Sequence, residues 1–541
     1  MAIIRANQLA DGATLDADIC IVGAGAAGIT LARALEKSGF RICLLESGDY
    51  HPDEKVQSLY DLQNEGYPIR ENFMSRARYF GGSCNLWAGR NMRMSRIDFL
   101  KRDWVPNSGW PLSYEELEPY YQHAERVLGV PAFSRFTAVD AVPHIEPREK
   151  QLFVAEELDP TVALWGIKPM RFGKVNKTAL RRSRSIDVYL NANVTEIVPT
   201  PDGCAVEHLA VRTLEGKQLT ARARTFVLAS GGLENARLLL VSRRQHPQGL
   251  GNHHDVVGRY FLDHPRAIHG RIRVNDSVSL PCLTGIPLAD GKFQLGIALS
   301  EQEQRKARVL NSYVSLEPAL SEMAEKQYGR SINVMKVLLR HGYAGKRTSL
   351  SRIDTSGARD LIYLLTPKEI MPHFLYRPYA MLKRKVRKNR SVGHLTLINF
   401  CEQVPDRDSR VTLSDKRDAL GMNMLRLDWR VGEAERHSVR HLHQLIGNSV
   451  EQCGIGTLET SPESVAELQF TDASHHMGTT RMNDDAREGV VDRNCRVHGL
   501  DNLFMGGSSV FATAGHANPT LTIVALTLRL AEHLEQHAKP A

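Results

Sequence analysis

Three glycines near the N-terminus have the spacing of a phosphate-binding turn. Gly23, Gly25 and Gly28 form a GxGxxG pattern between an apolar, β-branched run at 18–22 and a helical run. The first glycine permits a tight turn, the second lets the backbone approach a pyrophosphate, and the third lets the helix pack closely on the strand. Glu46 stands at the end of the next apolar run, where an acid binds the ribose hydroxyls of adenosine. The combination predicts a dinucleotide cofactor, without distinguishing FAD from NAD.

A pair of histidines near the C-terminus is the second candidate for chemistry. Histidine titrates near neutral pH, so His475 or His476 is suited to general base catalysis. Metal binding is the alternative use of such a pair, but adjacent side chains point apart and no Asp or Glu stands at ligand spacing in the sequence. Asn518, with His516 as a rival, is a second polar candidate just before the last helix. The residue types favour proton transfer and no metal, and they leave the choice between the two histidines open.

The elements that must position these residues alternate between strand and helix at both ends of the chain. Apolar runs predict strands over 18–22 and 41–46, with a helix over 29–37 between them. Ser113 and Glu116 form a capping box that predicts a helix over 113–127. The stretch 266–469 is less regular and shows no repeat. The remaining predictions are a strand over 191–197, the end of a β ribbon over 218–228, a strand–turn–helix unit over 225–237, a strand and turn over 502–509, and a buried helix over 519–535.

Length and composition set the class of protein. A chain of 541 residues predicts two domains. The net charge of +8 is a thin excess without a recognition motif, so a nucleic-acid partner is not expected. The 8 cysteines are scattered without a CxxC pair, which argues against zinc and for a reducing compartment. With neither a signal peptide nor a membrane-spanning run, a cytoplasmic location is expected.

Six short motifs occur along the chain in an order that is itself informative: Gly23–Gly28, Gly81–Asn85, Asn191–Ile197, Gly231–Arg237, His475–Met482 and Asn518–Thr522. In these motifs and their order, the chain resembles the glucose–methanol–choline oxidoreductases over nearly its whole length. The resemblance implies an α/β protein in which a Rossmann-like domain binds FAD. A second, α+β domain is expected to bind the substrate on an antiparallel sheet. The FAD-binding domain is expected to be discontinuous, over 1–112, 186–265 and 470–541, and the substrate-binding domain to span 113–185 and 266–469.

The resemblance also implies an activity, the oxidation of an alcohol to a carbonyl by hydride transfer to flavin N5. In the family register His475 falls on the catalytic base, with His476 as the alternative, and Asn518 falls on the second catalytic residue. Val194 is expected to contact the adenine through its backbone. The residues expected at the FAD are Gly23, Gly25, Ala26, Ala27, Gly28, Glu46, Gly81, Gly82, Ser83, Asn85, Val194, Ser230, Gly231, Gly507, Ser508, Asn518, Pro519 and Thr520.

Two positions depart from the family pattern. Some relatives attach the flavin to a histidine just before a tryptophan, and here Leu86 precedes Trp87, so FAD is expected to bind without a covalent bond. Many relatives have an aspartate where Gly507 stands, and a contact to the ribityl chain must then come from elsewhere.

The substrate and the electron acceptor are the least determined features. The form of the motif from His475 to Met482 is similar to that of bacterial sugar and polyol members, so a sugar, glycoside or amino sugar is expected, with oxygen or another acceptor left open. A redox-neutral lyase of the same superfamily is one alternative. Another is a membrane-docked dehydrogenase that feeds a quinone or carrier through the basic segment 379–390, although a solvated helix face is the expected role of that segment. A serine hydrolase is not expected, because the sequence around Ser508 lacks a GxSxG elbow.

Overall fold

The computed structural model describes residues 2–70, 72–136, 142, 144–154, 156–275, 278–318, 394–460 and 468–537. The strands in these ranges are β1 (Ala2–Arg5), β2 (Thr14–Asp16), β3 (Ile19–Val22), β4 (Ile42–Leu45), β5 (Leu62–Asn64), β6 (Leu158–Gly166), β7 (Ile186–Leu190), β8 (Asn193–Pro199), β9 (Val206–Arg212), β10 (Gln218–Arg222), β11 (Thr225–Leu228), β12 (Arg266–Val274), β13 (Ile286–Pro287), β14 (Gly291–Leu299), β15 (Ser312–Pro318), β16 (His394–Cys401), β17 (Arg410–Arg417), β18 (Asn423–Asp428), β19 (Gly456–Glu459) and β20 (Leu503–Met505). The α-helices are α1 (Ala26–Ala34), α2 (Glu54–Ser58), α3 (Asn72–Ser75), α4 (Arg96–Phe99), α5 (Tyr114–Leu128), α6 (Pro147–Gln151), α7 (Phe172–Arg182), α8 (Glu234–Val241), α9 (Pro281–Thr284), α10 (Glu301–Ala307), α11 (Glu433–Gln452) and α12 (Thr520–His537).

A parallel sheet in the order β1–β7–β4–β3–β11–β20 draws its strands from the two ends and the middle of the chain. Every residue of β3, β4 and β11 is buried, as in parallel sheets whose two faces are both covered. The predicted α/β class with a Rossmann-like region is therefore confirmed. The predicted ribbon end over 218–228 is wrong in one respect: β10 pairs with β9 in a smaller sheet, whereas β11 pairs with β3 in the parallel sheet.

The first helix begins earlier than the apolar pattern predicts. α1 starts at Ala26, directly after its N-cap Gly25, and a 3-10 turn at 35–37 replaces its expected last turn. The helix can start this early because residue 28 is a glycine. An ideal Cβ on Gly28 would lie 1.8 Å from the Gly23 carbonyl oxygen, so a larger residue could not pack on the turn. The glycine turn and the first helical turn thus form one compact unit.

An antiparallel sheet forms the second part of the fold. It runs β13–β14–β15–β16–β12–β19, with β6 also paired to β14. The sequence showed little regularity here, because buried positions on these strands carry polar side chains that break the apolar pattern. Gln294 on β14, for example, is buried and donates to the carbonyls of Leu283 and Leu316, both at 2.9 Å. The separate antiparallel sheet expected from the resemblance is present.

Two long helices pack together beside the parallel sheet. The capping box predicted for α5 is present: Ser113 Oγ accepts the N–H of Glu116 at 3.2 Å, and Glu116 accepts the N–H of Ser113 at 2.7 Å. The α5 helix then packs along α12, where the hydroxyls of Tyr121 and Thr522 lie 2.9 Å apart. This contact connects the segment after residue 112 to the C-terminal segment.

Three further expectations concern the chain as a whole. Among the described helices, none has both the length and the apolar character needed to cross a membrane. All eight cysteines are free thiols. The basic segment 379–390 lies outside the described residues.

We expect Gly28→Ala to damage the β3–α1 unit, because its Cβ has no room beside the Gly23 carbonyl. Overpacking of this kind costs about 1–3 kcal/mol or more of the free energy of unfolding. Thermal unfolding and the FAD content of the purified protein measure the effect, and both should fall. Gly447→Ala in α11 is the matched control, since its Cβ would meet Leu458 at an ordinary 3.5 Å. Equal behaviour of the two variants would contradict the packing argument.

Candidate active site

A cavity of about 650 Å³ opens at the carboxyl ends of β3, β4 and β11 and extends to β6 and β16 of the antiparallel sheet. In open parallel sheets this end of the strands is where ligands bind. The cavity brings together most of the residues that the sequence singled out. Those in its wall are Gly23, Gly25, Ala26, Ala27, Glu46, Gly82, Ser83, Val194, Ser230, Gly231, His475, His476, Gly507, Ser508, Asn518, Pro519 and Thr520.

The β3–α1 turn presents the N-terminus of α1 to this cavity. Gly23 has φ +104°, and a Cβ there would lie 2.6 Å from the Ala229 carbonyl oxygen. Ala26 and Ala27, the first two residues of α1, line the cavity. The N–H groups and partial positive charge at a helix N-terminus favour phosphate oxygens. The turn therefore fits the diphosphate of a dinucleotide.

The loop that begins at Gly81 lies directly on the turn. Gly81 donates its N–H to the carbonyl of Ala24 at 2.9 Å, and a Cβ on Gly82 would lie 2.8 Å from Gly25 Cα. Asn85 donates to the carbonyl of Phe80 at 3.1 Å and so closes the loop on itself. Gly28, Gly81 and Asn85 lie behind the cavity wall, so these three predicted residues shape the site without lining it.

Glu46 lies at the end of β4 with its carboxylate tied to the turn. It accepts the N–H groups of Ala24 and Gly48, both at 2.9 Å. Burial raises the pKa of Glu46, and these two backbone donors oppose the rise. A carboxylate has about four acceptor sites, so Glu46 keeps capacity for hydroxyl groups of a ligand.

The other predicted residues lie where strands end at the cavity. The β8–β9 pairing shifts register between Val194 and Glu196, next to the cavity-lining backbone of Val194. Asn235 accepts the N–H of Ser230 at 2.8 Å and donates to the carbonyl of Gly506 at 3.1 Å. A Cβ on Gly507 would meet nothing nearer than 4.0 Å. Gly507 has φ +101°, a left-handed backbone conformation that disfavours an aspartate at this position even though there is space for it.

Two arginines that the sequence analysis did not select also line the cavity. The guanidinium carbons of Arg76 and Arg78 lie 4.8 and 4.7 Å from the centroid of the Tyr60 ring. Glu234 forms ion pairs with both, at 3.3 Å from Arg78 Nη1 and 3.8 Å from Arg76 Nη1, but Nε and Nη1 of Arg76 are buried without a hydrogen-bond partner. Unpaired buried donors are costly, and an anionic ligand in the cavity would satisfy them. Their position just before the Gly81 loop was the only sequence signal for them.

The predicted base lies between two polar side chains. His475 Nε2 is 3.2 Å from the amide nitrogen of Asn518, and its Nδ1 is 2.8 Å from Nδ1 of His264. The other ring nitrogen of His264 lies 3.2 Å from the carbonyl oxygen of Ala514. His264 is fully buried and had no local signal in the sequence.

The surroundings of these histidines disfavour their charged forms. Burial, followed by His264, His476, Arg70 and Arg266, lowers the pKa of His475 well below its usual range. Burial likewise lowers the pKa of His264 to about 4, and burial with Arg76 lowers that of His476 to about 3. All three rings are therefore neutral near pH 7.

Two buried aspartates lie close to His476 although they are far from it in the sequence. Ligand atoms of Asp263, Asp472 and His476 lie within 4.8 Å of one another, a spacing that a metal ion could bridge. The carboxylates are engaged otherwise: Asp263 accepts the N–H groups of His264, Ala473 and His475, and Asp472 accepts that of Ser474. Burial and the nearby Asp472 raise the pKa of Asp263 well above its usual range. We interpret the cluster as structural: its hydrogen bonds hold residues 472–476, the histidine loop, in place.

His516, the rival to Asn518, is turned away from the cavity. Its ring nitrogens lie 2.8 Å from Asn311 Oδ1 and 3.2 Å from Thr161 Oγ1, and the ring packs against Tyr313. It is buried and does not line the cavity wall. The geometry therefore favours Asn518 as the second polar group.

The chain is similar to known proteins in two family models and over nearly its whole length. The family model described as GMC oxidoreductase matches residues 405–527, and the NAD(P)-binding Rossmann-like domain matches 21–51. The fructose dehydrogenase large subunit of Gluconobacter japonicus is 25% identical, over 96% of this chain and 98% of that protein. The 2-methyl-1,2-propanediol dehydrogenase of Mycolicibacterium austroafricanum is 23% identical, over 96% and 95%.

A solved structure shares the fold. Pyridoxine 4-oxidase from Mesorbium loti superposes with a TM-score of 0.59 at 18% identity, covering 96% of this chain and 100% of that one. Residues 405–527 therefore form a GMC oxidoreductase domain, and together with the Rossmann-like turn and the cavity they identify an FAD-dependent enzyme that oxidises alcohol groups.

Proposed function

We propose that the enzyme oxidises a CH–OH group of a sugar, glycoside or amino sugar, with His475 as the base and Asn518 as a donor to the alcohol oxygen. The observation that carries the proposal is the convergence of these two side chains, 3.2 Å apart, on one wall of the cavity. A base and a hydrogen-bond donor on the same oxygen are what alcohol activation requires.

The neighbours of His475 determine which of its two ring nitrogens carries the hydrogen. The carbonyl of Ala514 only accepts, so His264 carries its hydrogen on Nε2 and keeps a lone pair on Nδ1. The short Nδ1–Nδ1 contact then requires His475 to donate from its own Nδ1. His475 Nε2 is left with a lone pair, and Asn518 donates to it in the absence of substrate. This tautomer is the one in which Nε2 removes a proton.

The charges around the pair support the same reaction. The lowered pKa of His475 keeps the ring unprotonated and ready to accept a proton. Arg70 and Arg266, which contribute to that shift, would also stabilise the negative oxygen that forms as the proton leaves. The chemistry that FAD supplies when bound is acceptance of the hydride from the alcohol carbon.

The substrate class is supported by the relatives and by the cavity. One relative is named for fructose and another for a propanediol, so both names refer to small polyhydroxy compounds. Beyond the histidines the wall carries Trp165 and Phe400, aromatic surfaces suited to a sugar ring, together with charged side chains. Together these features favour a polar, ring-shaped alcohol.

Two finer features belong to the proposal. We expect FAD to be held without a covalent bond, because Leu86 lines the cavity where some relatives carry the linking histidine. The free thiols, including Cys20 and Cys43 at paired positions on neighbouring strands, support a reducing, cytoplasmic location.

We expect His475→Ala to keep its FAD but to slow flavin reduction by roughly 10²–10⁴-fold, the usual contribution of a general base. Anaerobic bleaching of the oxidised flavin by a panel of sugars, glycosides and simple alcohols measures the rate and identifies the substrate. Acid precipitation of the protein, which should release the FAD, checks that the cofactor is bound and not covalently linked. His476→Gln is the comparison, since the ring nitrogen beside the Asn518 amide belongs to His475. If that variant loses the activity and His475→Ala does not, the assignment is wrong.

His264→Leu should slow flavin reduction on the order of 10²-fold, because His475 loses the acceptor that holds its proton on Nδ1. The FAD content should be unchanged. His443→Gln is the control, since His443 is another buried histidine, bonded to Asn399 at 2.7 Å and outside the cavity wall. A normal reduction rate in His264→Leu would show that His475 needs no partner.

The low pKa of His475 sets the acid side of the pH profile. Protonation of His475 removes the lone pair, so the rate of flavin reduction should stay level from neutral pH to below 6.5 and fall only in more acidic solution. Rapid-mixing measurements of flavin reduction across pH 4–8, roughly the range around histidine titration, provide the test. A decline centred at or above pH 6.5 would contradict the environment described for His475.

A further inference from the structure

The wall of the cavity opposite the glycine turn carries an excess of positive charge. Arg70, Arg90 and Arg266 line it, and Glu317 is the acid that accompanies them there. Asp472 lies 3.7 Å from Arg70 Nε, and its oxygens already accept backbone N–H groups. Arg90 and Arg266 have no carboxylate within 4 Å among the described residues.

Arg90 is held in a fixed position by aromatic rings. Its guanidinium carbon lies 5.3 Å from the ring centroids of Trp165 and Tyr313 and 5.8 Å from that of Phe400. One terminal nitrogen donates to Ser315 Oγ at 3.3 Å, whereas Nε is buried without a hydrogen-bond partner. Cation–π contacts with these rings explain the position of the Arg90 guanidinium. They do not satisfy its Nε–H, which is buried without a hydrogen-bond acceptor.

Arg266 approaches the same Phe400 ring. It is the first residue of β12, and its guanidinium carbon lies 5.8 Å from the Phe400 centroid. Burial, with Arg70 next, lowers the pKa of Arg266 to about 10, while Glu317 acts in the opposite sense. A guanidinium that is half-buried beside another cation is poorly compensated by the protein alone.

We propose that this wall binds an oxyanion of the substrate, a carboxylate or a phosphate, through Arg90 and Arg266, so that the enzyme acts on acidic sugars in preference to neutral ones. The planar guanidinium is suited to both anions because it donates two parallel hydrogen bonds. Phe400, whose ring both arginines approach, lines the cavity and supplies an apolar surface for the sugar ring. The anion itself is unchanged in the reaction. This inference rests on the proposed function, since the alcohol group is the one placed at His475 and Asn518.

The test uses the FAD-loaded enzyme and matched substrates: glucose, glucuronate and glucose 6-phosphate, and methyl glucoside beside methyl glucuronide. The second-order rate constant for anaerobic flavin reduction should be at least about tenfold larger for an acidic member than for its neutral partner. Preference for glucuronate would identify a carboxylate site, and preference for the phosphate ester a phosphate site. Either preference supports the proposal.

Arg90→Gln should remove most of this preference while leaving the rate with neutral sugars within about twofold. Arg266→Gln should also lower the ratio of the acidic-sugar rate to the neutral-sugar rate, on top of a slower rate with both, because Arg266 acts on His475 as well. Arg273→Gln is the control, because Arg273 lies on the same strand but is exposed and paired with Glu459 at 3.3 Å. A second readout is independent of turnover. Inorganic phosphate or acetate should perturb the spectrum of the oxidised flavin in the unmodified enzyme, and the perturbation should be lost in Arg266→Gln.

Two outcomes would overturn the proposal, and a third would overturn the function on which it rests. Equal rates for acidic and neutral sugars would reject it and leave the proposed oxidation in place. An equal loss on every substrate in the arginine variants would show that the arginines serve the cofactor rather than the substrate. Absence of flavin reduction by any alcohol, with normal FAD content, would instead reject the proposed function itself.

Discussion

Asp263 is the group on which the geometry of the active site depends. Its carboxylate accepts the backbone N–H groups of His264, Ala473 and His475, residues that belong to segments about 210 positions apart. A buried carboxylate is expensive unless such donors satisfy it, so the two segments are held in one arrangement. That arrangement brings the rings of His264 and His475 to 2.8 Å. The position of the lone pair on His475, the proposed base, is thus a consequence of a carboxylate that need not touch the substrate.

A second constraint is steric and concerns the cofactor side. Backbone segments that are remote in the sequence approach each other where no Cβ fits: Gly23 against Ala229, Gly82 against Gly25, and Gly232 against the carbonyl of His476. The contact between Gly232 and the carbonyl of His476 joins the cofactor side of the cavity to the histidine loop. Ser508 stabilises this contact by donating to the same carbonyl at 2.7 Å. The cofactor turn and His475, the proposed base, are therefore positioned by one connected framework, which suits a reaction whose rate depends on the placement of a hydride donor.

The charge in the cavity has more than one consequence. Burial, followed by neighbouring histidines and by Arg70 and Arg266, lowers the pKa of His475, and in the proposed reaction the same positive charge would favour the alkoxide. Arg70, Arg90 and Arg266 have few acidic partners in the cavity wall. Cations in a protein interior are destabilising unless a negative charge lies near them. An acidic substrate would supply that counter-charge where the enzyme needs it, close to the reacting carbon and away from the cofactor turn.

The sequence by itself determined the features that depend on local pattern. The glycine turn, β3, β4, the acid at position 46, the capping box of α5 and the apolar last helix could all be recognised because each is defined by neighbours along the chain. The family resemblance added the choice of His475 over His476 and the role of Asn518. Helix limits were less certain: α1 begins at Ala26 because Gly28 lets it pack on the turn.

Only the tertiary structure decided the partners of the base and the charge of the substrate wall. His264 meets His475 because Asp263 ties their segments together, and Arg90 and Arg266 meet around Phe400 because the antiparallel sheet brings β12 beside β16. Such contacts join residues hundreds of positions apart, and the buried polar side chains of those strands hide the alternation that would have revealed them. Local patterns are set by short-range sterics and hydrogen bonds, whereas the chemistry of a cavity depends on which distant strands pair, and a single sequence carries no direct signal for that pairing.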